Sequence, residues 1–132
     1  MITLDTSAIL ALLDADEPAH GLVVGALDAE RPPFLVPAAI LCEVGYLVQR
    51  RLGSEAIDAF LADLTEGQLA YDGAADDLGR IRSLVARYAD LPLGVADAAV
   101  VACAERSGGR VMTLDRRDFE IVGREIALTL FP

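Results

Sequence analysis

Five carboxylates stand at positions where chemistry could use them. Asp5 follows Ile2-Thr3-Leu4, and Asp115 follows Val111-Met112-Thr113-Leu114, so each leaves the carboxyl end of an expected strand. In open α/β sheets, that end borders the crevice where ligands bind. Glu43 interrupts an apolar helical pattern, Ala38 to Cys42 before it and Val44 to Val48 after it, and carboxylates are rarely buried unless paired or bound to metal. Asp97 sits between Gly94-Val95-Ala96 and Ala98-Ala99-Val100-Val101, in the first turn of its helix. Asp118 lies three residues beyond Asp115.

Read singly, each acid has a plain alternative. Asp5 and Asp115 could cap the helices that follow them, Glu43 could pair with a buried arginine, and Asp97 could simply complement a helix dipole. One shared site replaces these separate coincidences. Two carboxylates about 4 Å apart repel by roughly 4 kcal/mol at an effective dielectric near 20, so such a cluster needs a cation or protonation. Mg²⁺, with Mn²⁺ tolerated, suits oxygen ligands, keeps waters that can attack a phosphodiester, and stabilises charge on the departing oxygens.

The elements that must carry these acids alternate between strand and helix. Strands are expected at residues 2–4, 34–36, 69–71, 110–114 and 126–130. Helices are expected at residues 8–13, from Asp16-Glu17-Pro18 to about 29, from Pro37 to 52, from Ser54 to 65, at 73–88, 95–106 and 118–122. This order implies a mostly parallel sheet of about five strands with helices on both faces. No repeat, linker or low-complexity tract divides the 132 residues, so a single domain spanning 1–132 is expected.

Composition limits the possibilities. At 54% hydrophobic, the chain exceeds the usual share of about 45–50% and should bury a substantial core. The longest apolar stretch, residues 34–48, is broken by Pro37 and Glu43 and is too short to cross a bilayer. No secretory leader pattern opens the chain, and a cytoplasmic location without membrane attachment is expected. Cys42 and Cys103 read as buried thiols, and His20 as a solvated surface residue. With one histidine, Ser–His–Asp and Cys–His mechanisms have no support. All eleven basic residues are arginine, which excludes a P-loop lysine, a Schiff base and a phospho-receiver lysine. The net charge of −10 opposes non-specific attraction to RNA. Arg50-Arg51 and Arg116-Arg117 are the candidate phosphate contacts, the second pair being nearer to the acids in sequence.

Leu4-Asp5-Thr6-Ser7-Ala8, the mid-chain Glu43, Leu93-Gly94-Val95-Ala96-Asp97-Ala98 and Thr113-Leu114-Asp115-Arg116-Arg117-Asp118-Phe119 resemble the ordered motifs of PIN domains. In size and order, the whole chain resembles the VapC toxins of bacterial VapBC toxin–antitoxin pairs. The resemblance implies a three-layer α/β/α PIN fold and Mg²⁺- or Mn²⁺-dependent endoribonuclease activity. It also implies inhibition by a VapB-like antitoxin, and a homodimer is expected as well. By position, Asp5, Glu43, Asp97 and Asp115 would be the metal-binding catalytic acids and Asp118 an auxiliary one. Thr6, Ser7 and Thr113 would orient acids or water, and Arg116 and Arg117 would contact RNA phosphates. Two other readings remain: an aspartyl phosphatase, for which the second acid and the lysine are missing, and a PIN-like interaction module that does not cut RNA.

Overall fold

In the computed structural model, which describes residues 1–132, five strands form one all-parallel sheet. They are β1 (Ile2–Leu4), β2 (Phe34–Pro37), β3 (Ala70–Asp72), β4 (Arg110–Met112) and β5 (Thr129–Phe131), in the order β3-β2-β1-β4-β5. The chain winds outward from β1 to β3, then returns to the other side of β1 for β4 and β5. That reversal makes a topological switch point between β1 and β4, the place where an open α/β sheet forms its ligand crevice. Asp5 and Asp115 follow the two strands that flank it.

Seven helices, α1 (Thr6–Leu13), α2 (His20–Asp28), α3 (Leu41–Leu52), α4 (Ser54–Glu66), α5 (Asp77–Arg87), α6 (Val95–Arg106) and α7 (Arg116–Val122), accompany the sheet. A single 3-10 turn, Ala38–Ile40, leads into α3. Successive strand residues point to opposite faces, yet Ile2, Thr3 and Leu4 are all buried. Both faces of the sheet are therefore covered, giving the three-layer architecture expected of parallel strands.

The α6 helix explains how the crevice is held. Every residue from Ala98 to Ala104 is buried, and most are alanine or valine. Small side chains let this helix lie close against β1, β2 and β4, while α5 covers its outer side. Inside, the Thr3 hydroxyl donates to Cys103 Sγ at 3.6 Å. Gly109 closes the turn from α6 into β4 with φ of +76°, and a Cβ there would collide with the Ala127 carbonyl oxygen. Its own carbonyl accepts the Thr129 N–H at 2.7 Å, which brings β5 alongside β4.

Several sequence expectations are corrected. Pro37 ends β2 rather than opening a helix; its extended backbone continues the pairing with Asp72 before the 3-10 turn begins. The second helix starts at His20, because residues 14–19 are taken up by turns. The helix expected over residues 73–88 forms only from Asp77, and β4 stops at Met112 instead of residue 114. Cys42 is exposed, while Cys103 alone is buried. His20 is half-buried, its Nδ1 bonded at 2.8 Å to the Ala11 carbonyl, so it joins α2 to α1 instead of lying free in solvent.

Candidate active site

Asp5 leaves β1 directly, and its backbone N–H still donates to the Met112 carbonyl at 3.0 Å, continuing the β1–β4 ladder by one residue. That register places Thr113 beside it. The Thr113 hydroxyl donates to Asp5 Oδ2 at 2.8 Å and the Ser7 hydroxyl donates to the same oxygen at 2.9 Å. Each hydroxyl also accepts a backbone N–H: Ser7 from Leu114 at 2.9 Å and Thr113 from Asp115 at 3.1 Å. Asp5 is 5% exposed, with Oδ2 fully engaged and Oδ1 taking no hydrogen bond from the protein. A buried carboxylate is thereby fixed in one orientation with one oxygen left for a ligand.

Asp5 and Asp115 occupy the residues that precede α1 and α7, but neither side chain makes a capping hydrogen bond. The simplest alternative for these two acids, helix capping, is thus excluded by geometry. Glu43 and Asp97 lie in the first turns of α3 and α6. The positive ends of four helices therefore face the acids. A cleft of about 280 Å³ is lined by Asp5, Thr6, Ser7, Leu10, Glu43, Asp97 and Asp115. Glu43 is exposed rather than buried as its apolar surroundings in sequence suggested, because it falls on the outward stripe of α3 while Val44 and Val48 face the core. The Thr6 hydroxyl reaches Glu43 Oε2 at 3.3 Å.

Electrostatics connects the acids more firmly than distance alone. Burial pushes the Asp97 carboxyl up from its ordinary 3.8 to about 6, and the negative fields of Asp5, Asp118, Asp115 and Glu43 push in the same direction. An aspartate at a helix N-terminus would by itself be lowered, so burial and its acidic neighbours outweigh the dipole here. Asp97 accepts no hydrogen bond that would relieve it. No three acids, histidines or cysteines are drawn close enough to hold an ion as they stand. The donor set fits a hard divalent ion: oxygen ligands only, one of them pre-oriented, one with raised proton affinity, around a polar cleft.

Asp115 and Asp118 do not share a helical face, because α7 begins at Arg116 and Asp115 has non-helical backbone angles. Asp115 is exposed and lines the cleft; Asp118 is half-buried, does not line it, and still acts on Asp97 more strongly than Asp115 does. Two opposite rankings follow. Asp115→Asn should slow cleavage by about 10²-fold and Asp118→Asn by about tenfold, as expected for loss of a direct and of an outer contact. In NMR titration of the ion-free protein, Asp118→Asn should lower the Asp97 pKa further than Asp115→Asn. An inactive Asp118→Asn beside a normal Asp115→Asn would reverse the assignment of the fourth acid.

Arg116 and Arg117, the pair nearer to the acids in sequence, do not line the acid cleft. Arg116 is paired with Glu120 at 3.0 Å, donates to the Pro132 carbonyl at 3.1 Å, and lines a different hollow with Phe119 and Thr129. Arg117 is exposed and lines neither hollow beside the acids. Instead, a second cleft of about 380 Å³ shares Ser7, Leu10 and Asp115 with the first and is bordered by Glu17 and Arg51. Glu17 had no sequence signal, since only the fold of residues 14–19 brings it there.

The sequence profile of the PIN domain matches residues 2–125 of the chain. The chain belongs to the PIN-domain family. This PIN domain is 40% identical over 119 residues to Ribonuclease VapC26 of Mycobacterium tuberculosis, covering 88% of this chain and 87% of that protein. Its fold superimposes on M. tuberculosis VapC20, a toxin that cleaves the sarcin–ricin loop, with a TM-score of 0.83 at 24% identity, over 93% of this chain and 95% of that one. It also matches VapBC2 of Rickettsia felis, solved bound to a promoter DNA fragment, with a TM-score of 0.70 at 14% identity over the full length of both chains. The PIN fold expected from the ordered motifs is thus the fold observed.

Proposed function

We propose that the chain is the toxin of a type II toxin–antitoxin pair, an endoribonuclease that hydrolyses phosphodiester bonds of cellular RNA with Mg²⁺, or Mn²⁺, held by Asp5, Glu43, Asp97 and Asp115. The observation that carries this reading is the cleft at the β1–β4 switch point, lined by Asp5, Glu43, Asp97 and Asp115, where burial first and the neighbouring negative charges second raise the proton affinity of Asp97. The 40% identity to a VapC ribonuclease supports the same reaction class.

The chain's own groups divide the work. Asp5 presents one oxygen to the cleft while Ser7 and Thr113 restrain the other. Those hydroxyls also accept the Leu114 and Asp115 N–H groups, which ties the turn after β4 to the first turn of α1. Thr6 performs a similar office for Glu43. A bound divalent ion would oppose the negative charge and supply an activated water for in-line attack at phosphorus. With a pKa of about 6, Asp97 is mostly ionised at neutral pH, and a cation beside the ionised acids would hold it so to lower pH.

A VapB-like antitoxin and a second copy of the chain are the expected protein partners. Leu22, Leu78 and Val95, on three different helices, are each 59–70% exposed. No helix is long and apolar enough to cross a membrane. Controlled expression followed by mapping of new RNA 5′ ends should reveal discrete cuts, suppressed when the product of the neighbouring gene is co-expressed. Abundant folded protein that produces no new ends would overturn the proposal.

A further inference from the structure

We infer that Arg51, at the end of α3, holds a backbone phosphate of the RNA substrate in the cleft adjoining the acids; the inference rests on the ribonuclease reading and names where its substrate is gripped. A chain of net charge −10 needs a local cation to keep a polyanion beside a carboxylate cluster. Most of its arginines are not available for this. Arg80, Arg87, Arg106, Arg110 and Arg116 are each paired with one or two carboxylates. Arg50 donates to the Tyr46 hydroxyl at 2.9 Å on the exposed side of α3. Of the arginines without an ion pair, Arg51 alone lines a cleft that shares residues with the acid site, namely Ser7, Leu10 and Asp115.

The chemistry of that cleft suits a phosphodiester. Arg51 is exposed at the mouth and forms no salt bridge, although Glu17 lines the same hollow. A guanidinium with its donors unpaired matches two phosphate oxygens in a fork. Helix geometry sets the reach: Glu43 and Arg51 are eight residues apart on α3, about 12 Å along its axis. One helix thus carries an acid of the cutting site at its first turn and a cation at its last. A strand gripped at Arg51 would enter the acid cleft past Ser7 and Asp115. A cation in the last turn also complements the helix dipole, but that role does not require the side chain to line a cleft.

The test uses full-length chain carrying Asp5→Asn, so that RNA survives, and a short labelled single-stranded RNA titrated by fluorescence anisotropy across a range of salt. Arg51→Ala should weaken binding about tenfold and reduce the slope of log K against log salt by about 0.7, the value for one lost contact to a single strand. Arg51→Lys should keep most of the slope. Arg31→Ala, which removes equal charge from the segment before β2 at the opposite end of the sheet, should leave the slope unchanged. Equal losses for Arg51→Ala and Arg31→Ala would overturn the inference, as would no measurable RNA binding at low salt. So would intact RNA binding by Arg51→Ala together with lost binding of the neighbouring gene's product, which would make the cleft a protein contact. Arg51-dependent binding beside a parent chain, with Asp5 intact, that cuts no RNA when supplied with Mg²⁺ or Mn²⁺ would overturn the proposed function and leave Arg51 as an RNA contact only.

Discussion

Asp5→Asn is expected to fold as the parent chain does and to cut RNA at least about 10²-fold more slowly. The substitution preserves shape in a site that is 5% exposed, so packing against β1 and β4 survives. An asparagine oxygen can still accept the Ser7 and Thr113 hydroxyls that now share Oδ2. The opposite position then carries an NH₂ group, a donor where a cation needs an acceptor. Circular dichroism and thermal melting within a few degrees of the parent, combined with the rate loss, would separate a chemical defect from a folding defect. A rate near that of the parent would remove Asp5 from the reaction.

Asp97→Asn should lose cleavage to the same degree and yet stabilise the ion-free protein at neutral pH. The carboxyl ionises near 3.8 ordinarily and near 6 in the folded chain, so the folded state binds its proton more tightly. Stability is fully present below about pH 4 and is lost as pH rises through 6. A shift of this size on a half-buried group corresponds to about 1–2 kcal/mol once solvent screening is allowed for. Asparagine has no charge to be buried or to be repelled by Asp5, Asp118, Asp115 and Glu43, so it should recover that amount at pH 7.5, with a gain that shrinks toward pH 4. Urea unfolding in EDTA at the two pH values measures it. Equal stability of parent and Asp97→Asn at pH 7.5 would show that the Asp97 charge is neither buried nor crowded by its acidic neighbours. A site that costs stability in order to work is a common pattern in enzymes.

How much of this was legible in the sequence depends on the range of the interaction. The strand-to-acid steps at Leu4–Asp5 and before Asp115 were readable because a strand end and its next residue are local, and all five strands and seven helices were anticipated in order. Which strand neighbours which is not local: the return of β4 to the free side of β1 is what joins Asp5 to Thr113, and no periodicity reports it. Glu43 was singled out because its sequence neighbours are apolar, yet apolar neighbours in sequence do not bury a residue on the outer stripe of a helix, and Glu43 is exposed. Turn boundaries around Pro37 and at residues 73–76 failed because tertiary pairing of β2 with β3 decides them. Arg116 was favoured for its closeness to Asp115 in sequence, whereas in space its guanidinium is turned to Glu120 and Pro132.

The most direct measurement is cleavage of a labelled RNA by purified chain, first stripped with EDTA and then resupplied with Mg²⁺ or Mn²⁺, with Asp5→Asn purified in parallel to expose any contaminating nuclease. Clustered acids cannot position an attacking water without a cation, so the stripped chain should be inactive, the resupplied chain active, and Asp5→Asn inactive throughout. Undiminished cutting in excess EDTA, or cutting by Asp5→Asn equal to the parent's, would contradict a metal-dependent ribonuclease centred on this cleft.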